Sequence, residues 1–101
     1  MAKLLVLYEQ PDDPAHFADY FRNKHMLLVT MLPGLKSCSF GPAAPVGEVA
    51  KDFFWIWEGL YDSVDAIRKS HSSPEGKAVM DDIPNFSSTM PVQVSLEGSE
   101  S

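Results

Sequence analysis

An α+β plait of βαββαβ order is predicted from three observations. Four strand-like and two helix-like segments alternate in that order along 101 residues. The composition, 45% hydrophobic and 22% charged, suits one packed domain over residues 1–101. The run Phe53-Phe54-Trp55-Ile56-Trp57-Glu58-Gly59-Leu60-Tyr61 is aromatic-rich and nearly free of polar residues, as a well-covered strand should be. Together they predict a ferredoxin-like arrangement, with two helices covering one face of a four-stranded antiparallel sheet.

The first strand is Lys3 to Tyr8, a short apolar run closed by Glu9-Gln10-Pro11-Asp12. The first helix follows, capped by Asp13 with Pro14 at the first helical position, where a missing N–H costs nothing. Pro33-Gly34 ends it, because proline cannot continue the ladder and glycine accepts a left-handed conformation. Leu35 to Phe40 is the second strand, and the Pro/Gly/Ala-rich stretch 41–51 is expected to be a flexible loop. In the third strand, alternation puts Phe53, Trp55, Trp57 and Tyr61 on one face and Phe54, Ile56, Glu58 and Leu60 on the other. A second helical region starts near Ser63 with Val64, Ile67 and His71 on one side and breaks at Ser72-Ser73-Pro74. It resumes through Gly76, Val79, Met80 and Ile83, with Ser72 and Glu75 at capping-box spacing. Met90 to Leu96 is the fourth strand, and 97–101 reads as a disordered tail.

Composition excludes several function classes. Apolar runs reach about six residues against the ~18 needed to span a bilayer, and MAKLLVLYEQ reads as a core strand, not a signal peptide. No membrane partner is expected. The lone Cys38 excludes an internal disulfide framework, agrees with a reducing cytoplasm, and reads as a small packed side chain. With a net charge of −6 and eight scattered Lys and Arg residues, no basic face is offered to nucleic acid. A neutral or modestly charged small molecule is the expected partner.

At about 100° per residue, Phe17, Phe21, His25, Leu28 and Leu32 fall within an arc of roughly 80° on the first helix. His25 therefore loses water, and burying an imidazole unpaired costs roughly 1 to 3 kcal/mol. It is either a satisfied core histidine or a cavity residue, and as a cavity residue it is the candidate acid/base catalyst. Lys24 projects into the same arc with a stem long enough to snorkel to a rim. Tyr8, Tyr20 and Tyr61 can donate a phenolic proton to a ligand oxygen or serve as amphipathic core, and Trp55 and Trp57 can stack on a ring. Glu58 is either an edge group in water or an orienting partner for His25, and Asp82 is assigned to the turn into Pro84-Asn85-Phe86. His71, at the helix break, is given a structural or exposed role, and His16 is given to solvent. With no two histidines on one helix face and no Cys or carboxylate at ligand spacing, neither a metal site nor a cofactor is expected.

Because the third strand is apolar on both faces, its outer face would expose large aromatics in a monomer, which soluble monomers rarely do. A two-fold homodimer packed sheet to sheet around a barrel-like space removes that exposure, although Trp55 and Trp57 fit equally on the helix-covered face.

The segment Phe17-Ala18-Asp19-Tyr20-Phe21-Arg22-Asn23-Lys24-His25-Met26-Leu27-Leu28-Val29, with Leu32-Pro33-Gly34-Leu35 after it, resembles the first-helix signature of the EthD family of dimeric α/β-barrel proteins. Ser73 to Val79 and Asp82-Ile83-Pro84-Asn85-Phe86 resemble its second-helix pattern. The resemblance implies a dimeric plait with His25 in a pocket between helix and sheet. It spans proteins tied to ether degradation, to modification of aromatic polyketides and, among relatives, to lactone isomerisation. The family usually reads His-x-Pro-Leu, whereas this chain has His25-Met26-Leu27-Leu28, which predicts a straighter helix past the histidine. The expected function is a cofactor-independent isomerase, cyclase, dehydratase or cofactorless oxygenase acting on an aromatic, quinoid or lactone-like metabolite. The competing expectation is a non-catalytic ligand-binding or accessory protein for an oxygenase or degradation pathway.

Overall fold

In the computed structural model, which describes residues 1–48 and 52–98, strands β1 (Ala2–Glu9), β2 (Ser37–Pro42), β3 (Phe53–Tyr61) and β4 (Val92–Glu97) form one antiparallel sheet in the order β2-β3-β1-β4. The helices α1 (Pro14–Tyr20), α2 (Met26–Val29), α3 (Val64–Ser72) and α4 (Pro74–Asp82) complete the βαββαβ order, with the two crossovers on one face. This is the ferredoxin-like plait.

Register follows from side-chain alternation. Ala2, Leu4, Val6 and Tyr8 of β1 are buried beside Tyr61, Gly59, Trp57 and Trp55 of β3, their direct cross-strand partners. Trp55 and Trp57 thus belong to the helix-covered face. The outer face is aliphatic, not aromatic as expected: Leu5, Leu7, Ile56, Leu60, Val92, Val94 and Leu96 lie there with Lys3 and Glu58, and the three β4 residues are 42 to 51% exposed. Phe54 escapes that face because a register shift leaves it unmatched between Tyr8↔Trp55 and Glu9↔Phe53. Its ring meets Phe17 edge-on at 5.2 Å.

Between α1 and α2 the chain makes a π-helical turn, Phe21–His25. A wider turn advances each residue by less than the α-helical 100°, so the buried series becomes Phe17, Phe21, His25 and Val29, with Leu28 only half-buried. Strict 3.6-residue periodicity had placed Leu28 in that arc. Nor does the absence of proline straighten the segment, since the distortion sits at the histidine with Leu27 in place.

Most end signals behave as expected. Asp13 accepts the His16 amide at 3.1 Å, Pro14 follows it, and Gly34 has φ +80°. The second helical region does break before Pro74, but Ser73, not Ser72, caps α4 by accepting the Gly76 amide at 3.0 Å. Ser72 instead bonds back to the Arg68 carbonyl. The buried side of α3 is Ile67 and Ser70, and His71 is exposed. Strand β2 lies two residues later than expected, so Gly41 and Pro42 leave the loop, and residues 49–51 of that loop lie outside the described residues. Glu97 ends β4 and the Gly98 amide bonds the Met1 carbonyl, while 99–101 of the expected tail also lie outside the described residues.

Candidate active site between helix and sheet

His25 is 1% exposed and closes the π turn, held between Phe21 (centroids 5.1 Å) and Phe86 (4.6 Å). Its Nδ1 lies 2.9 Å from Oδ2 of Asp82, the last residue of α4. Asp82 gathers two further donors on Oδ1: the Tyr20 hydroxyl at 2.7 Å and the Asn85 side-chain amide at 2.9 Å. A carboxylate at a helix C-terminus opposes the helix dipole, so local preference does not place it there. Three donors do.

The charge state follows from this set. Burial pushes the His25 pKa below its ordinary value of 6.5, outweighing the raising effect of Asp82. Burial also acts to raise the Asp82 pKa, but hydrogen bonds from Tyr20, His25 and Asn85 hold it below the usual carboxylate range. At neutral pH the pair is a neutral imidazole donating Nδ1–H to a carboxylate. Nε2 then carries the lone pair, and among the described residues it has no hydrogen-bond partner. That is the poise of a general base.

His25 lines a cavity of about 40 Å³ together with Tyr8, Trp57, Tyr61, Phe21 and Met80. Since a cavity near 150 Å³ is needed for benzene, this space holds no more than a few waters as it stands. Its lining residues Leu4, His71 and Gln93 also line a groove of about 420 Å³ between α3 and β4. Gln93 Nε2 donates to Met80 Sδ at 3.6 Å, and both residues line the cavity.

The sequence-derived candidates divide. Tyr8, His25, Trp57 and Tyr61 meet at the cavity; Tyr20, Lys24 and Trp55 do not. Tyr20 is a hydrogen-bond donor to Asp82. Lys24 is exposed because the π turn rotates it off the apolar arc, and its ammonium lies 5.5 Å from the Tyr20 ring. Trp55 is buried against Phe17 and Phe21, with the Arg22 guanidinium 5.0 Å from its ring, so it packs the core. Glu58 pairs with Lys3 at 3.7 Å on the outer face and does not orient His25. His16 Nε2 lies 3.0 Å from the Asn85 carbonyl, and Cys38 is exposed, not packed as expected.

Sequence reasoning missed Asp82 as the partner of His25, although Asn85 confirms that it also organises the turn. The available signal was an acidic residue in the last helical position. Among the described residues, no cluster of three or more His, Cys, Asp or Glu could hold a metal ion, and no helix is long and apolar enough to cross a membrane.

Comparison with known proteins places this geometry among relatives. Residues 9–90 match the family description "EthD domain". An uncharacterized 11.0 kDa protein from the thcB-thcC intergenic region of Rhodococcus erythropolis is 26% identical over 88 residues, covering 87% of this chain and 85% of its own. A protein of the ethyl tert-butyl ether D (EthD) family from Bacillus halodurans is 30% identical with a TM-score of 0.82, covering 96% of this chain and 97% of its own. Fold alone is shared with SnoaB, a cofactor-independent oxygenase from Streptomyces nogalater (13% identity, TM-score 0.69, covering 99% and 94%). The same holds for the hydroxynitrile lyase of Passiflora edulis (14%, 0.71, 99% and 94%) and for a Thermobifida fusca protein described as dimeric and ferredoxin-like (14%, 0.68, 95% and 88%).

Proposed function

This chain belongs to the EthD family, and from that starting point we propose that it is a homodimeric enzyme that moves a proton at a carbon beside a carbonyl, with His25 as the base. The hydrogen bond from His25 Nδ1 to Asp82 carries the reading, because it fixes the tautomer and leaves a basic Nε2 at a cavity wall. The substrate class is an aromatic, quinoid or lactone-like metabolite, and isomerisation, cyclisation, dehydration or cofactorless oxygenation each begins with such a proton abstraction. Neighbours of the same fold carry out reactions as different as oxygenation and hydroxynitrile cleavage, which supports a scaffold suited to several of them. No step requires a bound cofactor. A ring-sized metabolite reaches His25 from the α3–β4 groove by displacing Gln93 and Met80 from each other. The aliphatic outer sheet face supports pairing of two copies sheet to sheet, and exposed, unpaired Cys38 suits a cytoplasmic setting.

Deuterium uptake from D2O tests this directly. A panel of aryl ketones, quinones and lactones is incubated with the protein and followed by proton NMR. At least one should exchange its α-proton faster than in buffer, and folded His25→Gln should lose that acceleration by about 10²- to 10⁴-fold. Binding without exchange by any panel member would instead support a second reading, a ligand-binding or accessory protein. The small cavity and the 1% exposure of His25 favour that alternative.

A further inference from the structure

We propose that Tyr8 is the residue that receives a carbonyl oxygen of the substrate opposite His25, so that the cavity is built for an oxygenated ligand and discriminates against a hydrocarbon of the same shape. This rests on the reading of His25 as the base and adds a second polar group that lines the same cavity.

Three tyrosines approach the site, and their hydroxyls differ. Tyr20 donates to Asp82 at 2.7 Å, and the Tyr61 hydroxyl is 3.2 Å from Ser70 Oγ. Tyr8 is 2% exposed and lines the cavity, yet among the described residues its hydroxyl has no hydrogen-bond partner. Packing does not let it seek one elsewhere. Its ring is held edge-on by Phe17 (5.2 Å) and Phe21 (5.8 Å) and tilted against Phe86 (5.7 Å), while its backbone lies in the central strand β1. The hydroxyl is not enclosed by protein atoms, so it opens onto the cavity, where it can donate to a water or to a ligand oxygen. The indole N–H groups of Trp55 and Trp57 also lack acceptors, but they are enclosed by neighbouring atoms and are not offered to a ligand.

Burial and the nearby Asp82 charge both push the Tyr8 pKa up, so the phenol stays protonated and acts as a donor. The roles then divide between two residues. As the C–H bond beside the carbonyl breaks, its proton passes to His25 Nε2 and its electron pair forms the carbon–carbon double bond of an enolate. The carbonyl π pair moves onto oxygen, where Tyr8 Oη–H donates a hydrogen bond to the developing charge. Where a carbon–carbon double bond of the substrate is conjugated with the enolate, the charge extends to its far carbon, and return of the proton from His25 to that carbon yields an isomer, with no net change in oxidation state.

Acetone and isobutene are matched probes, one with an oxygen where the other has a methylene, and binding is read by NMR shifts of cavity-lining methyl groups. Wild type and His25→Ala should both prefer acetone, and Tyr8→Phe should lower the acetone-to-isobutene affinity ratio by several-fold to about tenfold, as expected for one net hydrogen bond. Tyr8→Phe without ligand should melt at the same temperature as wild type or higher. An unchanged ratio, no binding of acetone by wild type, or a lowered melting temperature for Tyr8→Phe would overturn the assignment. Because neither probe reports turnover, failure here leaves the His25 exchange test standing, and failure of exchange leaves this preference measurable.

Discussion

At the scale of single residues, the Asp82 carboxylate decides what His25 can do. With Asp82→Asn the acceptor is weakened and the imidazole loses the charge that fixes its tautomer, so proton exchange should fall by about 10- to 100-fold while the fold survives. The pH dependence of stability follows from the same pair. The folded-state pKa of His25 lies below 6.5, so between that lowered value and 6.5 the unfolded chain binds more protons and stability rises with pH, reaching its plateau above 6.5. The Asp82 pKa lies below its ordinary 3.8, so its contribution is present above 3.8 and is lost as pH falls through the lower folded value. Melting temperatures measured from pH 4 to 8 should show a slope ending near pH 6.5 that His25→Gln removes. A slope that persists in that variant would assign it to another group.

At the scale of elements, the π turn and the α3–α4 junction place the two halves of the dyad. The π turn carries the inward series from Phe21 through His25 to Val29, and α4 must approach closely enough to deliver Asp82. Gly76 permits that approach: a Cβ there would collide with the Ser70 and His71 carbonyl oxygens of α3. Gly76→Ala should therefore cost roughly 1 to 3 kcal/mol, read as a lowered urea midpoint, and should weaken proton exchange because α4 shifts. The break before Pro74 was legible in the sequence, but neither the π turn nor the close approach at Gly76 was. The period-3.6 reading had no means of detecting one added residue in a turn, and capping spacing could not separate Ser72 from Ser73 when the choice depends on the tertiary approach of Gly76.

For the whole molecule, the outer sheet face sets the expected assembly. Seven aliphatic residues lie on it, with Val94 49% exposed, and Lys3 and Glu58 are paired to each other. Light scattering after size exclusion should give about twice the 11.2 kDa chain mass at micromolar concentration. Val94→Lys should shift the mass toward one chain without lowering helix content, because Val94 is half-exposed and pairs across with the outer-face residue Leu5. A wild-type monomer would remove the sheet-to-sheet dimer from the proposal. Access to His25 is a separate matter: Gln93→Ala should free Met80 and speed ligand entry from the groove in either state.

The sequence by itself determined the βαββαβ order, the Asp13 cap, the break before Pro74 and the inward placement of His25, because each is written in contiguous spacing or in residues whose backbone chemistry leaves little choice. The family was legible for the same reason, being carried by two short motifs. Only the tertiary structure decided that Asp82, 57 residues away in sequence, is the partner of His25, that Trp55 and Lys24 belong to packing and surface, and that Tyr8 lines the cavity with no hydrogen-bond partner for its hydroxyl among the described residues. Those outcomes depend on how far two helices rotate and how closely they approach over one sheet. A period of hydrophobic residues fixes which face turns inward but not which side chains then meet.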